Sequence, residues 1–499
     1  MKRSTFVLVV LVFSVISHSA LAQQRSAKRG IGWDEKTQAI SETTISKMAP
    51  GISWIYNWGT TPKTPSLFST ESEVVFLPMC WNANYDEAVL RNYLSGHPEV
   101  KVLLGFNEPN FSAQSNMTPQ QAVNAWPKLE QMAADYGLEL AAPALNFTGE
   151  YVGGRTWSPY EWYDEFFRLY PTAKVDYLVL HCYMNWYSST LWFATEYFYK
   201  DLYNPQKTDV YGRYPNIVNY LNTYKEQHGH FPLMYLTEFC AWEGNKDGFT
   251  LNAESQIDQM TQKLQLLEQS DLVAGYAWFM GNANASAYPY MSLFQTNTPT
   301  SDLSMLGKVY VHMSSFDTSK FYTIGEQIAA KDYVDASLDN QQPKLRPNSE
   351  AASSIPLQVE WGTSAWMGYQ VDIPVDGTYD MQLHMKSSAA SSYRLYRNAL
   401  GSANRLQNTT ALPSTDGQWS DVTTTVTLPA GQYTLILYNM SSANVLLSSL
   451  HLQTATGIAD VRSQKADVRG EYYNLNGQRV AQPARGLYIC NGKKIVIRQ

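Results

Sequence analysis

Two glutamates stand in contexts that suit acid–base chemistry. Glu108 lies in the segment Gly-Phe-Asn-Glu-Pro-Asn at 105–110, and Glu238 lies in Tyr-Leu-Thr-Glu-Phe at 235–239. Hydrolysis of a glycosidic bond needs two such carboxyl groups, because one protonates the leaving oxygen while the other attacks the anomeric carbon or activates water. Taken alone, the first segment is also a common surface turn, and the second glutamate could simply pair with a base at a strand end.

A repeating pattern of secondary structure must position these residues. Eight short apolar runs alternate with longer amphipathic stretches up to about residue 316. Near-continuous apolar strands between helices form a parallel sheet, so the pattern predicts an α/β fold, a (β/α)8 TIM-like barrel over 28–316. The runs cover 30–33, 53–58, 74–79, 101–107, 139–144, 176–183, 233–239 and 273–279.

The barrel hypothesis brings the candidate residues to one face, because catalytic groups sit at the C-terminal ends of barrel strands. Glu108 follows the fourth run, His181 and Tyr183 close the sixth, Glu238 closes the seventh and Trp278 closes the eighth. Taken alone, a histidine such as His181 is more often a hydrogen-bonded core residue than a catalytic one. The two carboxyl groups are expected about 5–5.5 Å apart for a retaining reaction and about 9 Å apart for an inverting one.

The helices are clearest at 119–136, 162–170 and 253–269, where apolar residues recur at helical spacing. Gly137 is expected to end the first of them. The stretch 60–72 is a poor helix, so the second strand–helix unit is expected to be irregular. A long aromatic insertion at 184–215 follows the sixth run.

Composition favours a carbohydrate partner over nucleic acid. The chain has 14 Trp and 34 Tyr, and their flat apolar faces with polar tips suit sugar rings. The formal net charge of −7 argues against a polyanionic partner. Trp58, Trp242 and Trp278, at strand ends, are the preferred cleft residues, with Trp186 a further candidate, although many of the aromatics must be core.

The ordered motifs resemble glycoside hydrolase family 128, a group of β-1,3-glucanases, over about residues 28–316. The segments that carry the resemblance are Gly-Phe-Asn-Glu-Pro-Asn at 105–110, Ala-Pro-Ala at 142–144, Val-Leu-His-Cys-Tyr at 179–183, Leu-Thr-Glu-Phe at 236–239 and Tyr-Ala-Trp-Phe at 276–279. The resemblance implies that Glu108 is the acid/base and Glu238 the nucleophile. It further implies that Asn107 binds the sugar 2-hydroxyl and that His181 and Tyr183 orient the site around Glu238.

After about residue 320 the pattern changes to short alternating strands with turn signals, which predicts a β-sandwich over 320–453. This region is similar to carbohydrate-binding modules of family 6 or 35, and the resemblance suggests Tyr393, Trp419 and Asn444 as ligand residues. A purely supporting sandwich is the alternative. The acidic residues that hold structural calcium in such modules are not clearly present.

The two ends of the chain read as secretion signals. Lys2 and Arg3 precede an apolar run, and Ala-Leu-Ala at 20–22 is a small-x-small cleavage site, so 1–22 is predicted to be a signal peptide. The tail at 457–499 is expected to form small strands and resembles sorting domains of cargo for the type nine secretion machinery. The protein is therefore expected to be secreted or held at the cell surface, with no later transmembrane segment.

Other chemistries find no support in the sequence. No metal-ligand cluster, phosphate loop or serine-nucleophile elbow is evident, so no metal and no cofactor are expected. Cys80, Cys182 and Cys240 are expected to be buried thiols, with the last two near each other. The leading hypothesis is a secreted retaining glycoside hydrolase that cleaves β-1,3-glucan by double displacement. The alternatives are a glycanase of the same clan that cleaves another β-linked polysaccharide, and a non-catalytic surface glycan-binding protein.

Overall fold

The structure is a computed structural model. It describes residues 23–147, 150–184, 188, 208, 212–213, 215–241, 245–246, 249–283, 290–298, 300–455, 459–460, 472–474, 478–480, 486–490 and 493–497. The insertion at 184–215 falls mostly outside these residues, as do Trp186, Trp242 and the segment 1–22.

The N-terminal region alternates strands and helices. Its strands are β1 (Arg29–Gly32), β2 (Trp54–Tyr56), β3 (Val75–Phe76), β4 (Val102–Leu103), β5 (Glu139–Leu140), β6 (Glu150–Val152), β7 (Arg155–Trp157), β8 (Tyr177–Cys182), β9 (Leu233–Phe239), β10 (Asn245–Lys246), β11 (Phe249–Thr250) and β12 (Val273–Trp278). Its helices are α1 (Glu42–Met48), α2 (Glu87–Gly96), α3 (Pro119–Tyr136), α4 (Pro159–Leu169), α5 (Asn216–His228), α6 (Ala253–Gln269) and α7 (Met305–His312).

Eight of these strands coincide with the eight predicted runs, and they pair in parallel. One sheet has the order β3-β2-β1-β12-β9-β8, and β4 pairs with β5 separately. Isolated parallel bridges link Met79 to Leu104 on one side and Ala141 to Tyr177 on the other. The region is therefore α/β with a parallel sheet, as the sequence predicts.

Side chains from neighbouring strands of the parallel sheet form a buried cluster separate from the main core. Trp54, Tyr56 and Tyr235 belong to this buried cluster, together with smaller residues from the other strands. A Cβ atom on Gly30 would lie 2.2 Å from the Trp54 ring, and one on Gly275 would lie 2.3 Å from the Tyr235 ring. Glycine is thus required at both positions, because large rings from neighbouring strands occupy the space.

The helices begin and end where local chemistry dictates. A capping box at Thr118 opens α3, with proline at its first turn, and Gly137 ends it with φ of +64°. An equivalent box at Ser158 opens α4, whose aromatic face is buried, with Trp162 stacked on Phe166. The predicted bounds of α3 and α6 are confirmed. Residues 60–72 contain only a 3₁₀ turn, Pro65–Leu67, which confirms the expected irregular unit.

The C-terminal region is all β. Its strands are β13 (Tyr322–Thr323), β14 (Gln327–Ala329), β15 (Asp335–Ala336), β16 (Lys344–Pro347), β17 (Leu357–Trp361), β18 (Trp366–Ile373), β19 (Gly377–Lys386), β20 (Ser391–Arg397), β21 (Thr410–Leu412), β22 (Ser420–Leu428), β23 (Gly431–Asn439) and β24 (Val445–Thr454), with 3₁₀ turns at Asp339–Gln341 and Ser402–Asn404. They form one sheet with the path β13-β18-β23-β20-β21 plus β15, and another with the path β16-β17-β24-β19-β22 plus β14.

The inner faces of these two sheets meet. Trp361 of one sheet lies 6.2 Å from Tyr393 of the other, measured between ring centroids, and the Tyr393 hydroxyl lies 2.6 Å from Thr424 Oγ1 across the interface. The tail adds β25 (Ala459–Asp460), β26 (Tyr472–Tyr473), β27 (Arg479–Val480), β28 (Gly486–Cys490) and β29 (Lys493–Ile497), so the small strands predicted there are present.

Helix α6 joins the two regions through buried polar contacts. Arg346 of β16 donates to Asp258 at 2.7 Å, and its side chain is 9% exposed. Gln265 donates to Asp335 at 2.8 Å, and the Asp339 amide donates to Gln262 at 2.6 Å. The β-rich region is thus bonded to the helix that follows β9. Among the residues that the structure describes, no helix is both long and apolar enough to cross a membrane.

Candidate active site

Glu108 follows β4 in a strained turn. Its φ is +43°, a left-handed value that costs a residue with a Cβ atom about 1–3 kcal/mol unless the surroundings enforce it. The Glu108 amide donates to the Ala144 carbonyl at 2.7 Å. Asn110 then bonds both sides of Asn146, since its Oδ1 accepts from the Asn146 amide at 2.9 Å and its Nδ2 donates to the Asn146 carbonyl at 3.1 Å. The turn is therefore fixed to the segment that follows β5.

Glu238 is the next-to-last residue of β9, and it is buried with three donors around it. Trp58 Nε1 donates to Oε1 at 2.7 Å, the Tyr56 hydroxyl reaches Oε1 at 3.4 Å, and the Tyr183 hydroxyl donates to Oε2. Both carboxylate oxygens are therefore engaged as acceptors. Trp58 and Tyr56 come from the end of β2, and Tyr183 follows β8.

His181 links the two glutamates. Its Nδ1 lies 2.7 Å from Glu108 Oε1 and 3.4 Å from Glu238 Oε2, while its Nε2 lies 2.9 Å from Thr237 Oγ1. One potential metal-ligating atom from each of Glu108, His181 and Glu238, a carboxylate oxygen or a ring nitrogen, lies within 4.8 Å of the others. That spacing would also suit a metal ion, so the absence of a metal stays a prediction.

Burial and charge set the protonation of this cluster. Burial raises the pKa of Glu238, and repulsion from Glu108 adds to the rise; His181, Tyr183 and Trp58 act in the opposite direction without cancelling it. Burial alone would lower the pKa of His181, but Glu238 and Glu108 reverse that and raise it. The site therefore holds a proton more tightly than its separate residues would in water.

Asn146 is the contact that the sequence did not reveal. Its Nδ2 donates to Glu108 Oε1 at 3.0 Å, so both donors that reach Glu108 among the described residues bond the same oxygen. Asn146 lies beyond the fifth predicted run, where no pattern marked it. Tyr56 and Thr237 were also missed; each neighbours a residue that was singled out, and their strand-end positions were the available signal.

Asn107 is buried beside the acid/base candidate, and its role toward the sugar stays a prediction. Its Nδ2 donates to Gln114 Oε1 at 3.3 Å, whereas its Oδ1 is buried without a hydrogen-bond partner among the described residues. A buried acceptor without a partner costs free energy, about 1–3 kcal/mol. It is the kind of atom that a substrate hydroxyl would satisfy.

The predicted tryptophans have different outcomes. Trp58 is half-buried at the site, but Trp278 is wrong as a cleft residue, because it is fully buried and its Nε1 donates to the Met291 carbonyl at 2.8 Å. The next residue, Phe279, is half-buried and packs on both Trp58 and Tyr183, with centroids 5.8 and 5.4 Å apart. Trp186 and Trp242 lie outside the described residues, so their assignment stays a prediction.

The residues suggested for the sandwich also diverge. Tyr393 is wrong as a ligand residue, because it is fully buried between the sheets and its hydroxyl bonds Thr424. Asn444 is exposed, and Trp419 is half-buried and stacked on His384 at 5.4 Å with the rings 7° from parallel. Trp419 stays a candidate.

Cys80, Cys182 and Cys240 are buried, as expected. Burial raises the pKa of the Cys240 thiol, and the charges of Glu238 and Cys182 add to the effect. Cys182 and Cys240 therefore lie close enough to interact, as the strand pattern predicts.

A family model described as glycosyl hydrolase catalytic core matches residues 30–310. The chain belongs to that family. It is a glycoside hydrolase, and the catalytic core holds Glu108, His181 and Glu238. No curated protein sequence matches the chain.

Several solved structures are similar to the catalytic core. An endo-β-1,3-glucanase of family 128, subgroup II, from Pseudomonas viridiflava is 30% identical, with 58% of this chain and 98% of that chain covered and a TM-score of 0.44. A subgroup II enzyme from Sorangium cellulosum is 27% identical over 57% and 97%, with a TM-score of 0.39. A subgroup V exo-β-1,3-glucanase from Cryptococcus neoformans is 22% identical over 57% and 98%, with a TM-score of 0.38. The predicted resemblance to family 128 is supported; the binding module at 320–453 stays a prediction.

Proposed function

We propose that this protein is a retaining β-1,3-glucanase. The observation that carries the proposal is the close approach of Glu108 and Glu238, which offer oxygens within 4.8 Å of each other around His181. Retaining enzymes need carboxyl groups about 5–5.5 Å apart, whereas inverting enzymes leave room for water between groups about 6.5–9.5 Å apart.

Hydrogen bonding supports Glu238 as the nucleophile and Glu108 as the acid/base. Donors on both oxygens of Glu238 favour its ionised form, because a carboxylate only accepts. Among the described residues, both groups that bond Glu108 reach Oε1, which leaves Oε2 available to donate to the leaving oxygen. The raised pKa of Glu238 runs against the nucleophile role. The donors nevertheless favour this role, because they bond the atoms that must carry the negative charge.

The reaction follows from these roles. Glu238 attacks the anomeric carbon while Glu108 Oε2 protonates the leaving oxygen, which gives a covalent glycosyl-enzyme intermediate. Glu108 then takes a proton from water as the water displaces Glu238. Asn107 Oδ1 would accept a hydrogen bond from the sugar 2-hydroxyl, and the half-buried faces of Trp58 and Phe279 would pack against the ring.

The substrate is proposed from the relatives. The 30% identity to an endo-β-1,3-glucanase spans 98% of that enzyme, and nothing in the described cleft contradicts a neutral β-glucan. The second candidate is a glycanase of the same clan with another β-linked substrate, since the two-glutamate geometry is independent of linkage.

Three further features belong to this proposal. The bridges at Met79–Leu104 and Ala141–Tyr177 give each of the eight strands a parallel neighbour on both sides, which supports a closed (β/α)8 barrel. Residues 320–453 are proposed to form a β-sandwich module. Export, with cleavage after Ala22 and sorting through 457–499, is proposed from the sequence.

A polysaccharide panel tests the function. The wild-type enzyme is expected to cut laminarin, a soluble β-1,3-glucan, faster than β-1,4-glucan, and proton NMR of the first products should show the β-anomer. Glu238→Gln should lower the rate about 10⁴-fold or more, because the nucleophile is lost. α-Anomeric products would contradict retention, and preference for another linkage would favour the second candidate.

A further inference from the structure

The β-sandwich carries a recess on the outer face of one sheet. Strands β19, β22 and β24 form its floor, and the connection between β16 and β17 forms a wall. The volume is about 310 Å³, at the small end of the range for ligand sites, about 300–1,000 Å³.

The centre of this recess is preorganised. His384 lies between two acids, with Nδ1 2.7 Å from Asp421 Oδ1 and Nε2 3.0 Å from Glu350 Oε2. The ring also stacks on Trp419, whose indole Nε1 is buried without a hydrogen-bond partner among the described residues. An imidazole held at both nitrogens and on one face has little freedom, so the recess does not have to form on binding.

The wall is fixed as well. Asn348 Nδ2 lies within hydrogen-bond distance of Ser448 Oγ on β24, 3.1 Å away, and of the Ile355 carbonyl, 3.0 Å away. These contacts tie both ends of the β16–β17 connection to the sheet. Glu350, which projects from this connection, is therefore held over the floor.

The lining chemistry selects a neutral, hydroxyl-rich ligand. Amides, hydroxyls and imidazoles line the recess beside the two carboxylates, with Gln382, Ser449 and His451 on the floor. Among the described lining residues there is no lysine or arginine, so an anionic ligand would meet no positive partner beyond His384. A metal is not favoured either, because Glu350 and Asp421 bond opposite nitrogens of His384, and in the described chain the grouping suited to a metal is the one at Glu108.

We propose that this recess, centred on His384, is a binding site for a short neutral β-glucan segment, separate from the catalytic cleft. Sugar hydroxyls donate to Glu350 and Asp421 and accept from Gln382. The assignment rests on the proposed function for the identity of the sugar; the preference for a neutral oligosaccharide rests on the recess itself.

The test counts sites by titration calorimetry with laminaritriose on the full-length Glu238→Gln protein. Adding His384→Ala with Gln382→Ala should lower the number of bound trisaccharides by one. Gln432→Ala, an exposed amide on the other sheet that bonds Asp372 at 3.0 Å, is the matched control and should leave the number unchanged. An unchanged number in the recess variant overturns the proposal.

Two measurements keep the outcome interpretable. Thermal unfolding of each variant shows whether it is folded. Asp421→Asn, which keeps the shape of the side chain, should weaken the affinity of the recess for laminaritriose about tenfold. Wild-type hydrolysis of laminarin is measured separately. If the wild type does not hydrolyse laminarin but the recess variant binds one trisaccharide fewer, the proposed function is wrong and the recess proposal holds. If the wild type is active and the recess variant binds the same number, the recess proposal is wrong and the proposed function holds.

Discussion

Two histidines in this molecule are each held between two acids, in different surroundings. His181 is buried beneath the catalytic face, and Glu108, Glu238 and Thr237 surround it. His384 is half-buried in the recess of the C-terminal β-rich region, between Glu350 and Asp421. Both imidazoles have a raised pKa, because the acids outweigh burial. Glu108 and Glu238 offer oxygens within 4.8 Å of each other, which suits the proposed catalytic role. Glu350 and Asp421 instead bond opposite nitrogens of His384, which suits the proposed binding role.

The largest expected effect comes from removing one of the two acids around each histidine. Glu108→Gln should lower kcat/KM on laminarin about 10²–10⁴-fold, because proton donation to the leaving oxygen is lost. An aryl glycoside with an acidic phenol as leaving group needs no such proton, so its first step should be much less affected. Glu350→Gln is the comparison variant: it should leave the rate on the aryl glycoside unchanged and lower kcat/KM on laminarin far less than Glu108→Gln does, because Glu350 lies in the proposed binding recess and not at the bond that breaks. Equal losses on the two substrates would remove the acid/base role from Glu108.

A smaller effect is expected from Asn146→Ala. Loss of the 3.0 Å bond to Glu108 should lower kcat/KM on laminarin about 10- to 100-fold, because a hydrogen bond to a charged group contributes about 1.5–3 kcal/mol. The loss should again be smaller on the aryl glycoside, which separates positioning of the acid from general destabilisation. Asn124→Ala, on the exposed face of α3, is the matched control. The same loss on both substrates would indicate a structural role.

The smallest effect concerns stability against pH. A pKa that is higher in the folded state stabilises below the unfolded value, about 4.3 for Glu and 6.5 for His, and that contribution is lost as pH rises through the folded pKa. Glu238 and His181 both act in this direction. The Tm should therefore fall as pH rises from about 4 to 8. In Glu238→Gln this fall should be smaller by about one to three degrees. Glu350→Gln should change it less, because His384 is more exposed; an equal change would erase the distinction between the two histidines.

Much of the catalytic region could be predicted from the sequence. An apolar run that ends in polar residues indicates both where a strand lies and at which edge of the sheet its polar residues meet. Glu108, His181 and Glu238 converge for that reason. What could not be predicted is which way a side chain turns. Trp58 and Trp278 both end apolar runs, yet the first bonds Glu238 and the second is core.

The misses share a physical cause. Asn146 lies beyond its strand, and its contact with Glu108 depends on the clamp made by Asn110, which joins segments 36 residues apart. Tyr393 fits the alternation of a strand, but alternation does not say which face is inside. The recess at His384 combines three strands and a connection, so no single stretch of sequence marks it.

The contacts of helix α6 have a consequence for how a long polymer would be handled. The same helix follows the strand that carries Glu238 and bonds the β-rich region through Asp258 and Gln265. If a flexible linker joined the two regions, the enzyme could cleave the polymer at any bond within the length of the linker from the bound segment. Here the proposed recess and the active site would be held at a fixed separation by the bonds of α6. Each cleaved bond should therefore lie at a constant distance along the glucan from the segment bound in the recess.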